Sequence, residues 1–184
     1  MSFRERSLGR RLALQYLFAL DYTGYDWQAG LDSFWEMDPL RASRESFEEG
    51  EEPVFEANAA NISKAKARAY AERLIEGACA NAEEISERIA SALDNWAPDR
   101  VGRVERAVLR VAMSELLYGG AMPAAVVISE AVNLAKEFGS EEAPRFVNGV
   151  LDRLRKTIEA EDFTSPPPRV REEDDLAVPP GENE

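Results

Sequence analysis

The spacing of apolar residues restricts the fold of this 184-residue chain more than any other feature. Through most of residues 8–158, apolar side chains recur three or four positions apart, which is the period of an amphipathic α-helix. The alternation of apolar and polar residues that indicates a β-strand does not occur in the sequence. The sequence therefore predicts an all-α fold, a compact helical bundle.

Glycine and proline residues divide this region into successive helices. Helices are predicted over residues 8–20, 64–94, 104–118 and 124–138, with a last helix that reaches residue 158. Gly77 is a candidate interruption of the second helix, and Gly139 is expected to end the fourth. Ser140 and Pro144 are typical of the cap and the first turn of the last helix.

The formal net charge of −13 is concentrated in two segments. Residues 36–56 carry eight acidic residues and two arginines and form a predicted acidic loop. Residues 162–184 carry seven acidic residues and two arginines among prolines, which predicts a disordered acidic tail. These segments hold −11 of the total, whereas the first eleven residues contain four arginines and one glutamate. The N-terminus is therefore a basic patch in an acidic protein, and such a patch can bind nucleic acid.

The residue inventory excludes most kinds of enzyme. The chain contains no histidine and one cysteine, Cys79, so histidine-based catalysis, paired Ser-His or Cys-His nucleophiles and the usual zinc sites are all excluded. Cys79 lies at an apolar helical position and is expected to be an inert core thiol. No segment has the length of apolar sequence that a membrane helix needs, and no signal peptide is evident. Counting does not exclude a mechanism based on paired Asp and Glu carboxylates, but nothing in the sequence singles out a pair. We expect a cytoplasmic protein without metal or cofactor.

The start of the last helix carries rings and a cation that suit RNA. Phe138, Arg145 and Phe146 cluster at this junction, where bases could stack on the rings while the arginine contacts phosphate. The alternative, which periodicity alone favours, is that both rings pack into the core. Asn148-Gly149 follows inside the helix, where glycine costs about 1 kcal/mol relative to alanine. Close packing of a neighbouring helix against Gly149 is the expected compensation.

Four segments of the chain resemble the NusB family of bacterial transcription antitermination factors. They are RRLALQYLF (10–18), VERAVLRVAMSELLY (104–118), VVISEAVNLAKEFG (126–139) and RFVNGVLDRL (145–154). The resemblance implies an all-helical fold of two small subdomains, here spanning residues 1–161, and no catalysis. It also implies binding of single-stranded boxA RNA of ribosomal RNA operons together with NusE, a small-subunit ribosomal protein, within a complex containing RNA polymerase and other Nus factors.

The resemblance also assigns roles to individual residues of this sequence. It implies two RNA-binding regions, an N-terminal one at Arg4, Arg6, Arg10 and Arg11 and a second at Phe138, Arg145, Phe146 and Asn148. It implies a NusE-binding surface at Phe18, Asp99 and Glu105. Two of these assignments have structural alternatives, since Glu105 could pair with arginines of its own helix and Phe18 could be partly in the core. Glu142 stands where its charge is expected to repel RNA.

Two other functions are compatible with the resemblance. NusB-like domains serve as accessory modules of ribosomal-RNA cytosine methyltransferases, but such an enzyme needs a cofactor-binding domain and a catalytic cysteine besides. The bundle could instead only dock protein partners, or form a homodimer over its RNA-binding surface.

Overall fold

The computed structural model describes residues 1–24, 26–39, 63–93, 101–120 and 122–164, with side chains through residue 161. These residues form seven α-helices and no β-strand, which confirms the predicted all-α fold. The helices are α1 Phe3–Thr23, α2 Trp27–Glu36, α3 Lys64–Ala80, α4 Ala82–Ala92, α5 Arg103–Tyr118, α6 Ala124–Phe138 and α7 Ala143–Thr164. No helix in these ranges is both long enough and apolar enough to cross a bilayer.

Helix α1 begins five residues before the predicted start because of a capping box. The Ser2 hydroxyl accepts a hydrogen bond from the Glu5 N–H at 3.2 Å, and the Ser2 N–H donates to Glu5 Oε2 at 2.7 Å. The other oxygen of Glu5 accepts from the N–H of Ser63 at 3.2 Å, so this buried carboxylate also joins α1 to the start of α3. At the other end Gly24 adopts a φ of 62°, which closes the helix with a left-handed cap.

The segment predicted as one helix over 64–94 is two helices. The break lies at Asn81, where the backbone leaves helical geometry, and not at Gly77, which is inside α3. The Asn81 side chain donates to the Gly77 carbonyl at 3.0 Å and so satisfies an acceptor that the end of α3 leaves open. Asparagine often replaces glycine at such breaks because its amide can bond the local backbone.

The start and the end of α7 both differ from the prediction. Ser140 contributes its carbonyl, which accepts from the Ala143 N–H at 3.0 Å, whereas its hydroxyl donates to Glu105 and caps nothing. The helix continues to Thr164, so the first three residues of the predicted tail are helical. The rest of the tail, and residues 40–56 of the predicted acidic loop, lie outside the described residues.

One continuous apolar core joins the helices, with α5 at its centre. Helix α5 packs against α1, α3, α4, α6 and α7, and its Val108, Leu109 and Met113 are completely buried. Helices α1 and α3 share the most extensive contact among the described helices. Gly9 permits this approach, because a Cβ there would lie 2.8 Å from both the Ala67 carbonyl oxygen and a ring carbon of Tyr70. Gly9 and its buried neighbour Leu8 therefore cannot be replaced by further basic residues.

Arg10 is buried within this core, with 2% of its surface exposed. Its guanidinium donates to both oxygens of Glu115 on α5 at 2.6 Å and to Glu130 on α6 at 3.0 Å. Tyr70 on α3 donates its hydroxyl to Glu115, and Ser7 donates to Glu130. Four helices thus meet at one network of charged and polar groups.

The electrostatics of this network keep Arg10 charged. Burial alone lowers the pKa of Arg10, but the hydrogen bond and charge of Glu115, with further attraction from Tyr70 and Glu130, raise it overall. Burial, followed by the hydrogen bond to Glu115, raises the pKa of Tyr70 to about 12, so this hydroxyl remains a donor at neutral pH. The prediction that Arg10 contacts RNA phosphate is wrong for this structure, because its guanidinium is enclosed by carboxylates.

Gly149 also differs from its prediction. Among the described residues, a Cβ at this position would meet no atom within 4 Å outside the backbone of its own helix, so no described helix packs closely against it. The packing of the described residues therefore does not require glycine here.

We predict opposite effects of alanine at the two glycines. Gly149→Ala should raise the free energy of unfolding by about 0.5–1 kcal/mol, because the helix gains propensity and the methyl group meets no described atom outside its own helix. Gly9→Ala should lower it by about 1–3 kcal/mol through overpacking of α1 against α3. Urea unfolding followed by circular dichroism measures both, and equal effects of the two substitutions would contradict this description of the packing.

Arg10→Ala should lower the free energy of unfolding by about 3–5 kcal/mol, because two buried carboxylates lose their cation. The control is Arg4→Ala, on the exposed side of the same helix, which should change it by less than about 0.5 kcal/mol. Urea unfolding distinguishes these values. A fully stable Arg10→Ala protein would show that the network does not hold the helices together.

Candidate RNA-binding and partner-binding surfaces

The three remaining N-terminal arginines lie outside the core. Arg4 is exposed, and Arg6 is half-buried with one guanidinium nitrogen donating to the Met1 carbonyl at 2.9 Å. Arg11 forms two hydrogen bonds with Glu137 near the end of α6, one of them at 2.7 Å. Arg4 and Arg11 are seven residues apart and so share one face of α1, separated by about 10 Å along the helix.

Arg11 connects the two predicted RNA-binding regions. Its guanidinium carbon lies 5.6 Å from the centre of the Phe138 ring, in a cation–π arrangement. Glu137 accepts two hydrogen bonds from the same guanidinium, and burial raises the pKa of Glu137 more than Arg11 lowers it. The cation of α1 and the ring of α6 therefore form one combined surface, although 127 positions separate them in the sequence.

Phe138 and Phe146 are both half-buried, with one part of each ring packed against the apolar core. Packing into the core and stacking with RNA bases, the two roles predicted for these rings, are thus compatible, because each ring is anchored by the core and partly exposed. Phe146 lines a groove of about 490 Å³ between the end of α4 and the start of α7. Other residues of the groove are Leu93, Glu142, Arg145, Gly149 and Arg153. Asn148 is exposed but does not line this groove.

The predicted partner-binding surface contains one aromatic residue, Tyr22, that the sequence motifs did not indicate. Phe18 is half-buried, and its ring makes an edge-to-face contact with Tyr22 at a centroid distance of 5.3 Å. The guanidinium of Arg103 lies 4.1 Å from the centre of the Tyr22 ring, which remains 62% exposed. The spacing of four residues between Phe18 and Tyr22 was the available signal, because it places both rings on one helix face.

Glu105 does not form the predicted alternative ion pairs within the described part of the chain. The arginines that could have paired with it have other partners, since Arg110 pairs with Asp21 at 2.9 Å and Arg106 donates to the Val101 carbonyl. Glu105 instead accepts a hydrogen bond from Ser140 at 3.3 Å. The last predicted partner residue, Asp99, lies outside the described residues.

The Glu105–Ser140 contact places the two candidate surfaces side by side. Ser140 belongs to the loop between α6 and α7, which separates Phe138 from Arg145. Glu105 is in the first turn of α5, two residues from Arg103. One loop therefore lies between the candidate RNA-binding residues and the candidate partner-binding residues.

The described residues offer little that resembles a reaction centre. Within the described ranges no three acidic or cysteine side chains are grouped in a way that could hold a metal ion. Cys79 is half-buried, and burial raises the pKa of its thiol, which disfavours the reactive thiolate.

Comparison with known proteins identifies relatives over most of the chain. The model of the NusB family matches residues 8–156. The transcription antitermination protein NusB of Geobacter sp. (strain M21) is 37% identical over 153 residues, which are 83% of this chain and 95% of that protein. The protein of the same name from Bacillus mycoides is 34% identical over 154 residues, 84% of this chain and 99% of that protein.

Solved structures share the arrangement of helices. A crystal structure of the antitermination factors NusB and NusE in complex with double-stranded RNA matches with a TM-score of 0.65 and 27% identity, covering 85% of this chain and 99% of that one. The solution structure of NusB from Aquifex aeolicus matches with a TM-score of 0.66 and 26% identity, covering 93% and 100% of the two chains. The family model and the relatives match most of the sequence, and the solved structures match the helical bundle. This chain therefore belongs to the NusB family.

Proposed function

We propose that this protein is a transcription antitermination factor that binds single-stranded boxA-type RNA of ribosomal RNA operons together with NusE. The observation that carries the proposal is the cation–π contact between Arg11 and Phe138, which brings together two RNA-binding regions predicted from distant parts of the sequence. A related structure contains NusB, NusE and RNA, which supports both partners. Such a protein acts in the cytoplasm, in a complex with RNA polymerase and other Nus factors.

The proposed RNA-binding surface combines cations with partly exposed rings. Arg4, Arg11 and Arg145 supply charge for phosphates, while Phe138 and Phe146 supply faces on which bases can stack. Arg11 already holds a carboxylate, Glu137, in the bidentate geometry that also suits phosphate. In the complex an RNA phosphate would compete with Glu137 for this guanidinium, so part of the binding energy is spent on separating the pair.

The proposed NusE-binding surface consists of Phe18, Tyr22, Arg103 and Glu105. The two rings contribute apolar contact area, and aromatic residues are frequent at the centres of protein interfaces. Glu105 supplies a negative charge for a basic ribosomal protein. Because Ser140 bonds to Glu105, NusE would bind directly beside the loop that leads into the RNA-binding junction. This proximity gives NusE a direct route to influence RNA affinity.

We predict that Arg145→Gln weakens RNA binding chiefly at low salt. Loss of one phosphate contact should flatten the dependence of log affinity on log salt by about 0.7, the value for one charge on single-stranded nucleic acid. Fluorescence anisotropy with a short boxA-type RNA at several salt concentrations measures the slope. The control is Arg155→Gln on the same helix, because Arg155 already pairs with Asp152 and Glu159. Identical slopes for wild type and Arg145→Gln would remove Arg145 from the RNA contacts.

We predict that Glu105→Lys reduces the affinity for NusE by about tenfold or more, because a basic partner then meets a cation instead of a carboxylate. Binding of RNA in the absence of NusE should not fall, since the substitution removes a negative charge near the junction. Isothermal titration calorimetry with NusE measures the first effect and anisotropy the second. Glu159→Lys, exposed on α7, is the control. If the substitution lowered RNA affinity and left NusE affinity unchanged, Glu105 would belong to the RNA-binding surface and not to the NusE-binding surface.

The docking-only alternative makes a different prediction for the same experiments. A bundle that only binds proteins would retain NusE binding and show no affinity for boxA-type RNA at any salt concentration, with or without NusE. That result would overturn the RNA-binding part of the proposal and leave its partner-binding part intact.

A further inference from the structure

The first turn of α1 carries an exposed aromatic ring. Phe3 is 55% exposed and has no part in the apolar core. The other phenylalanines whose side chains the structure describes are all buried in that core or packed against it, namely Phe18, Phe34, Phe138 and Phe146. The packing of the described residues therefore does not account for a ring at this position.

The backbone that carries Phe3 is fixed in place. Phe3 lies between Ser2 and Glu5, whose reciprocal hydrogen bonds of 3.2 and 2.7 Å form the capping box of α1. Glu5 also accepts from the Ser63 N–H, so this turn is joined to the start of α3. A ring on such a rigid turn loses little conformational freedom when a ligand stacks on it.

The exposed charges beside Phe3 are positive. Arg4 follows it directly and is exposed, and Arg6 folds back over the same turn, where it donates to the Met1 carbonyl at 2.9 Å. Glu5 is the only acidic residue among residues 1–11, and it is 5% exposed. The start of α1 therefore presents a ring among cations, although the chain as a whole is acidic.

The first turn of α3 adds cations that do not stabilise their own helix. The N-terminal end of a helix carries a partial positive charge, so acidic residues are favoured there. Helix α3 has no acidic residue in its first turn and has Lys64 and Lys66 instead, both exposed. The hydrogen bond from Ser2 lowers the pKa of Glu5 most, and the charge of Lys66 lowers it further, so Lys66 lies near the start of α1. A negatively charged ligand accounts for these lysines better than helix stability does.

This surface lies in line with the proposed RNA-binding surface. Arg4 and Arg11 share one face of α1, and Arg11 contacts Phe138. Phe3 precedes Arg11 by eight residues, which is about 12 Å along the helix axis. RNA that passes Arg11 and then Arg4 therefore reaches Phe3 next.

We propose that the starts of α1 and α3 form a second RNA contact, which binds nucleotides that flank the boxA-type segment. A base stacks on Phe3, and the neighbouring phosphates lie against Arg4 and Lys66. RNA is favoured over a protein partner because a single ring among cations offers stacking and charge but little apolar contact area. The inference rests on the proposed function and extends it to RNA outside the boxA-type segment.

The test compares a boxA-type RNA with two versions of it, extended by a short run of adenosines at the 5′ end or at the 3′ end. Fluorescence anisotropy measures the affinity of each. One of the two extensions should raise the affinity of wild type by about fivefold or more. Phe3→Leu, which keeps an apolar side chain but removes the ring, should remove most of that gain. It should not change thermal stability or the affinity for the unextended RNA, because the ring is outside the core.

Two further variants separate stacking from charge. Phe3→Trp should retain the gain, because indole also stacks with bases. Lys66→Gln should flatten the dependence of log affinity on log salt by about 0.7 for the extended RNA and leave it unchanged for the unextended RNA. Lys156→Gln is the matched control, because Lys156 is exposed on α7 and already pairs with Asp152.

Three outcomes would overturn the inference. Equal affinity of wild type for all three RNAs would show that no flanking nucleotide is bound. A full gain in both Phe3→Leu and Lys66→Gln would place the flanking nucleotides elsewhere. A loss of NusE affinity in Phe3→Leu with an undiminished RNA gain would assign this surface to a protein.

The unextended RNA tests the proposed function separately. If wild type binds it and gains nothing from either extension, this inference fails and the proposed function stands. If wild type binds none of the three RNAs, with or without NusE, both fail.

Discussion

The buried contact of Arg10 with Glu115 and Glu130 is the interaction on which the arrangement of the helices depends. It joins α1 to α5 and α6, and the hydroxyl of Tyr70 adds α3. A buried ion pair is weak evidence for stability as such, because desolvation offsets much of its attraction. Its directional hydrogen bonds do fix how α1 lies relative to α6, because the Arg10 guanidinium has to reach Glu115 and Glu130 at the same time. That relation in turn places Arg11 against Glu137 and Phe138.

Two adjacent arginines therefore have different roles because of helix geometry. Successive residues of an α-helix point about 100° apart, so Arg10 faces the core while Arg11 lies at its edge. The acidic character of the chain does not prevent an RNA-binding role, because the RNA-binding residues proposed from α1, α6 and α7 lie outside its two most acidic segments. The bond between Glu105 and Ser140 brings the proposed protein-binding surface to the edge of the RNA-binding surface.

Sequence patterns predicted the helices well and the burial of individual polar residues poorly. Apolar periodicity located five helical regions but missed α2 entirely. Helix α1 starts earlier than predicted because Ser2 and Glu5 cap it, and α3 ends at Asn81 through a side-chain bond. Arg10 was misplaced because a local basic cluster does not reveal acceptors more than 100 positions away. The open surroundings of Gly149 and the stacking of Arg103 on Tyr22 likewise depend on contacts between distant segments. The shared motifs identified the junction residues, and only the fold brings Arg11 to Phe138.

The most direct test of this account maps the amide chemical shifts of the isotopically labelled protein during titration with boxA-type RNA, followed by NusE. RNA should shift the resonances around Arg4, Arg11, Phe138 and Arg145, and leave those of α2 unchanged. NusE should then shift the resonances around Phe18, Tyr22 and Glu105. Shifts that cluster on α2 on addition of RNA, with none at the junction of α6 and α7, would contradict the account.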